Sequence, residues 1–67
     1  MGTKELINFH QTCAKNAPNG TIRNAHITMC AYLEYSPMQL TQHNYDSYRK
    51  RIEASLNIKM SHSKITN

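Results

Sequence analysis

Two breaks in the sequence limit this chain to short helices. Pro18-Asn19-Gly20 is a strong turn signal, and Ser36-Pro37 combines a favoured helix N-cap with a residue tolerated only in a first helical turn. The segments beside these breaks carry apolar residues at intervals of three and four, which is the helical period. The sequence therefore predicts a small all-α domain of three or four short helices.

The helical period also sets the bounds of the first two helices. The first helix is expected from about residue 4 to 15, with Thr3 as its N-cap. The second is expected to begin after a cap at Thr21 and to end at Ser36-Pro37. Its apolar stripe makes it the best candidate for the buried centre of the domain.

The C-terminal half is predicted to form a helix-turn-helix-like unit. A short helix over residues 37–41 precedes a break at 42–44, and a last helix, capped by Asn44, runs from Tyr45 to about Leu56. The predicted core consists of Leu6, Ile22, His26, Met29, Leu33, Tyr45, Tyr48, Ile52 and Leu56.

The chain divides into a helical domain at 1–57 and a basic tail at 58–67. The tail alternates roughly between apolar and polar residues, which is typical of a short strand. No partner strand is evident, so a flexible, frayed tail is favoured.

The chain's size excludes several classes of protein. A chain of 67 residues buries only about 60% of its unfolded surface, which leaves little room for a substrate pocket, and we expect no enzyme. It has no apolar run of membrane-spanning length and no signal-peptide pattern, so a soluble, cytoplasmic protein is expected. Its two cysteines do not form a disulfide framework.

The net charge of +4 is concentrated at the C-terminal end. Three basic and three acidic residues cancel over residues 1–48, whereas residues 49–67 carry five basic residues and only one acidic residue. This asymmetry favours a polyanion or an acidic protein surface as the partner. A basic tail that merely keeps a small protein soluble explains the same composition.

The basic last helix predicts a nucleic-acid-binding regulatory protein, with DNA favoured. In a helix-turn-helix the second helix presents polar and basic side chains to the major groove, where Arg reads guanine and Asn reads adenine. Lys mainly neutralises phosphate. The alternative is the solvated basic face of a small bundle. The candidate nucleic-acid-binding residues are Asn44, Ser47, Arg49, Lys50, Arg51, Lys59 and Lys64.

A second set of residues has the ligand spacing of a classical zinc finger. Its members are His10, Cys13, His26 and Cys30. Zinc binds imidazole and thiolate readily, but Ala17 and Arg23 stand where the large apolar residues of that finger belong. We therefore expect no cofactor, with a zinc-stabilised helical hairpin as the alternative. Histidines on an apolar stripe are more often simply packed and hydrogen-bonded. No recognisable spacing of residues provides an oxyanion hole for Cys13 or Cys30, so neither cysteine is expected to be a catalytic nucleophile.

The third function class is an interaction protein of the phage or mobile-element type, which docks on a host protein and modulates it. Its anchor side chains would be Met29, Met38, Met60, Tyr32 and Tyr35. A homodimer would suit this class and the nucleic-acid-binding class alike, because a second copy supplies the burial that a small core lacks.

Overall fold

The computed structural model describes residues 2–36 and 39–65, which form three α-helices. They are α1 (Thr3–Lys15), α2 (Gly20–Tyr35) and α3 (Gln42–Leu56). The described residues contain no strand. The predicted small all-α domain is confirmed.

The first two helices begin one or two residues earlier than predicted. Gly2 occupies the N-cap of α1, so Thr3 is already helical. Asn19, with extended backbone angles, caps α2 by accepting a hydrogen bond from the Ile22 amide at 2.9 Å. Thr21 therefore lies in the first turn of α2. Asn is at least as good an N-cap as Thr, which explains this choice.

The predicted short helix and the break after it are wrong for the part of the chain that the structure describes. Residues 39–41 are not helical, and residues 42–44 form the first turn of α3. Residues 37 and 38 lie outside the described residues. The order of parts expected for a helix-turn-helix is therefore not formed by residues 39–44.

Thr41, not Asn44, caps α3. The Thr41 hydroxyl accepts a hydrogen bond from the Asn44 amide at 3.1 Å. The Asn44 side chain instead donates to the carbonyl of Gln39 at 2.7 Å, which fastens the connecting segment to the helix. The cap moves three residues upstream because a Thr hydroxyl is a good acceptor for the amide at the third helical position.

The core lies where the three helices and the C-terminal segment meet. The buried apolar residues are Leu6, Ala14, Ala25, Met29, Leu33, Tyr45, Ile52, Met60 and Ile65. Most of the predicted core is confirmed, but Ile22 and Tyr48 are half-buried and Leu56 is 36% exposed. Leu56 is the last residue of α3, at the edge of the packed region.

A reversal of the chain follows α3. Asn57 adopts the left-handed conformation (φ 54°), and the Ile58 amide donates to the carbonyl of Glu53 at 3.1 Å. This is the longer of the two bonds of a Schellman motif, and the same Glu53 carbonyl also accepts the Asn57 amide. It sends residues 58–65 back along α3.

The C-terminal segment, residues 58–65, is irregular but packed. Three of its amides donate to side chains of α3: Met60 to Glu53 (3.0 Å), Ser63 to Tyr45 (3.1 Å) and Ile65 to Gln42 (2.7 Å). Met60 and Ile65 are buried in the core. The sequence favours a flexible, frayed tail because no partner strand is evident; in the structure, side chains of α3 hold residues 58–65 in place of such a strand. Residues 66 and 67 lie outside the described residues.

Candidate nucleic-acid interface

One side of α3 is exposed and carries basic charge. Tyr45 and Ile52 are buried on its inner side. Ser47, Lys50 and Arg51 are exposed, and we call these three residues the outer face of α3. Helical spacing places residues 47, 50 and 51 away from positions 45 and 52, so these side chains are free to meet a partner.

Arg49 does not belong to the outer face. Its guanidinium bonds Glu53 Oε1 at 3.0 Å and lies 3.6 Å from Asp46 Oδ1, and its side chain is only 14% exposed. Its Nε is the one buried side-chain nitrogen or oxygen in the described residues without a hydrogen-bond partner. Arg49 is therefore a brace between two carboxylates of its own helix.

Five of the seven predicted nucleic-acid-binding residues are exposed. They are Ser47, Lys50, Arg51, Lys59 and Lys64. Asn44 is half-buried, and its side chain is occupied by the Gln39 carbonyl. The sequence did not separate the two groups, because the partners of Asn44 and Arg49 depend on which way each side of α3 faces.

The carboxylates of α3 are paired with Arg49. Asp46 and Glu53 both lie against Arg49, and Glu53 is 9% exposed. Lys50 and Lys59 line an open cavity of about 550 Å³ at the junction of α3 and the C-terminal segment, together with the paired Arg49 and Glu53. The outer face and this segment thus present cations without an intervening exposed carboxylate.

The predicted zinc ligands do not converge. Nδ1 of His10 lies 2.8 Å from Nδ1 of His26, a hydrogen-bond distance, whereas two nitrogens on one tetrahedral zinc would be about 3.3 Å apart. Cys30 donates instead to the carbonyl of Ile7 at 3.6 Å. Over residues 2–36 and 39–65, no group of three or more His, Cys, Asp or Glu is placed to hold a metal ion.

The two histidines belong to a buried hydrogen-bond chain that the sequence did not reveal. His10 Nε2 lies 2.8 Å from Tyr45 Oη, and that oxygen also accepts the Ser63 amide. Burial, assisted by His26 and His62, lowers the pKa of His10 to about 4. Burial also lowers the pKa of His26 and raises that of Tyr45. The chain joins α1, α2, α3 and the C-terminal segment.

Neither cysteine is activated. Burial raises the pKa of both Cys13 and Cys30, and the nearby carboxylate of Glu34 adds to the shift at Cys30. The thiolate is the reactive form of cysteine, so both side chains are poor nucleophiles at neutral pH.

An aromatic groove lies between α2 and α3, beside the outer face. Tyr32 and Tyr48 stack with ring centroids 5.0 Å apart, and both line a cavity of about 460 Å³ with Tyr35 and Arg51. Tyr35 is 77% exposed.

Among the methionines proposed as anchors, Met29 and Met60 are buried in the core, and residue 38 lies outside the described residues.

The chain matches no protein-family model, and no curated protein or solved structure is significantly similar to it. Across the described residues, none of the helices combines the length and the apolar character needed to cross a membrane. Since the comparisons identify no relative, the geometry and charge of the described residues carry the functional argument.

Proposed function

We propose that this protein binds nucleic acid, with duplex DNA as the favoured form, through the outer face of α3 and the lysines of the C-terminal segment. The observation that carries the proposal is the separation of charge on α3. Asp46 and Glu53 neutralise Arg49 on one side, and Lys50 and Arg51 stand unopposed on the other. A surface of unopposed cations attracts a polyanion.

Each exposed residue has a distinct expected role. Lys50, Lys59 and Lys64 neutralise phosphates, which supplies affinity without sequence preference. Arg51 can bond a guanine edge or a phosphate, and the Ser47 hydroxyl can bond either a base or a phosphate. An exposed helix of the length of α3 fits the width of a major groove, and this is why duplex DNA is favoured over other polyanions.

The C-terminal segment contributes to the same surface because it is anchored. The Met60 amide is held by Glu53, one residue after Lys59, and Lys59 shares a cavity with Lys50. Ordering these cations before binding lowers the entropic cost of the complex. The segment thereby extends the basic surface beyond α3.

A salt titration with a matched control tests the proposal. Affinity for a labelled DNA duplex is measured from 50 to 200 mM salt for the parent, for Lys50→Ala/Arg51→Ala and for Lys4→Ala/Lys15→Ala. Both variants lose two exposed positive charges. The α3 variant is expected to flatten the slope of log affinity against log salt by about 1.8, roughly 0.9 for each phosphate contact. The α1 variant should keep the parent's slope.

Two results would contradict the proposal. One is the absence of measurable DNA binding at the lowest salt. The other is an equal loss of affinity in both double variants, which would mean that net charge alone attracts DNA and that α3 provides no defined surface.

The aromatic groove supports a second candidate function, docking on another protein. Its exposed Tyr35 and the nearby guanidinium of Arg51 are side chains common at interface anchors. Under this alternative, Tyr35→Ala abolishes partner capture while Lys50→Ala preserves it, and the salt dependence is mild. Sedimentation of the purified protein shows whether the partner is a second copy.

A further inference from the structure

The buried chain of His10, His26, Tyr45 and Ser63 is not used by the proposed function. All three side chains in it are essentially inaccessible to solvent. It connects three helices to a segment that has no regular secondary structure. A buried polar network of this kind is costly unless every member is satisfied, so its proton arrangement matters.

One arrangement of protons satisfies the chain. Tyr45 Oη accepts from the Ser63 amide and donates its own hydrogen to His10 Nε2. His10 then carries its proton on Nδ1 and donates to His26 Nδ1. In the reversed arrangement, His10 Nε2 donates to Tyr45, and the described contacts provide no acceptor for the hydroxyl hydrogen. We assign His10 the Nδ1–H form and His26 the Nε2–H form on this ground.

Protonation of either imidazole breaks this arrangement. A doubly protonated His10 has no lone pair for the Tyr45 hydroxyl. A doubly protonated His26 needs His10 Nδ1 as an acceptor, which moves the His10 proton to Nε2. In both cases the hydroxyl hydrogen of Tyr45 loses its acceptor and a positive charge is buried. Each of these changes costs free energy in a dry interior.

The surroundings do not compensate such a charge. The charge-bearing groups that act on His10 are His26 from α2 and His62 from the C-terminal segment, and both disfavour a second cation. At Tyr45, the opposite charges of Asp46 and Arg49 act together with the Cys13 thiol. Since Asp46 is already paired with Arg49, it offers little to an imidazolium.

We propose that His10, His26, Tyr45 and Ser63 form an acid-sensitive latch, which holds the C-terminal segment on the helices when both imidazoles are neutral and releases it when either is protonated. The segment opens first because it packs without a helix of its own and its anchors include the Ser63 bond to Tyr45. Release lets water solvate the Tyr45 hydroxyl and removes His62. This inference does not depend on nucleic-acid binding.

The direction of the pH effect follows from the lowered pKa of His10. Between its ordinary value of 6.5 and about 4, the open form binds more protons than the closed form. The closed form is therefore fully favoured above pH 6.5 and loses ground as the pH falls. From pH 7.5 to 5, the closing equilibrium should weaken, and about 30-fold is the upper bound for His10 alone, reached when opening returns its pKa fully to 6.5. This range lies above the ordinary pKa of carboxylates, about 4.

Hydrogen exchange of the full chain tests the latch. The protection factor of the Ser63 amide is compared with that of Met29, which lies in the core of α2. Ser63 is expected to be less protected than Met29 at each pH, and its protection should fall between pH 7.5 and 5 by a factor of up to about 30. Equal protection of the two amides would overturn the latch, because the segment would then open only with the whole domain. A protection factor of the Ser63 amide that does not change with pH would overturn the latch as well.

Variants locate the effect in the named groups. Tyr45→Phe, which removes the link between His10 and Ser63, should lower Ser63 protection at least tenfold at pH 7.5. Tyr48→Phe is the matched control, because its hydroxyl bonds Ser36 instead. His10→Gln should reduce the pH response to a few-fold, whereas exposed His43→Gln should retain it. Equal effects in each matched pair would overturn the proposal. The proposal would also be overturned if the nitrogen chemical shifts of the His10 imidazole in the parent protein placed its proton on Nε2.

Discussion

Arg49 and Lys50 are adjacent basic residues on one helix, and the structure gives them different surroundings. The Arg49 side chain is 14% exposed and forms ion pairs with two carboxylates, whereas Lys50 is exposed on the outer face. The 100° turn between successive helical residues is enough to bring Arg49 against the carboxylates of α3 and to leave Lys50 exposed. A count of positive charges treats them alike. Their surroundings make Arg49 part of an ion-pair cluster and leave Lys50 exposed for the proposed DNA contact.

The inner side of α3 is expected to dominate stability. Ile52→Ala should destabilise the domain by about 2–4 kcal/mol, because it removes a buried branched side chain and leaves a cavity. Leu56→Ala, at a position that is 36% exposed, should cost well under half as much. Urea denaturation of both variants measures the difference. Similar losses would show that α3 packs through a different face.

Replacing Arg49 or Lys50 by alanine is expected to give a smaller difference in the free energy of unfolding, but between two adjacent basic residues. Arg49→Ala should cost about 1–2 kcal/mol, since it leaves Asp46 and Glu53 facing each other without a cation. Lys50→Ala should change the free energy of unfolding by less than about 0.5 kcal/mol. Thermal melts of the two variants test this. Equal stability would mean that the Arg49 cluster contributes nothing to the fold.

Substitution of Asn57, in the turn after α3, is expected to give the smallest loss of stability among these pairs of variants. Ala pays a steric cost in the left-handed conformation at φ 54°, so Asn57→Ala should destabilise by about 1 kcal/mol. Asn57→Gly should be close to neutral, because Gly adopts this conformation freely. Chemical denaturation of the pair checks the prediction. If Ala and Gly behave alike, the reversal that returns the C-terminal segment along α3 does not depend on this residue.

Local patterns in the sequence predicted the helices but not the contacts that organise the site. Apolar spacing identified α1, α2 and most of α3, and it placed Leu6, Met29 and Ile52 in the core. It missed Met60 and Ile65, because their burial depends on a reversal at one left-handed residue. The signal available was Asn57 directly after the last helical residue, a common position for a helix-ending Asn.

The contacts of the buried histidines also could not be predicted from local sequence patterns. Their spacing resembled a set of zinc ligands, and sequence alone could not show that Tyr45, 35 residues away, bonds His10. Long-range polar pairing leaves no periodic trace in a sequence. The same applies to Arg49, whose charge predicted a binding residue until its two carboxylate partners were located in space.

The most direct test of the outer face is an amide chemical-shift titration of the labelled protein with a short DNA duplex at low salt. The largest shifts are expected at Ser47, Lys50 and Arg51, with a second group at Lys59 and Lys64. The exposed residues of α1, including Lys4 and Lys15, should shift little. Shifts concentrated on α1 or around Tyr35, or no shifts at all, would contradict the assignment of the outer face of α3 as the binding surface.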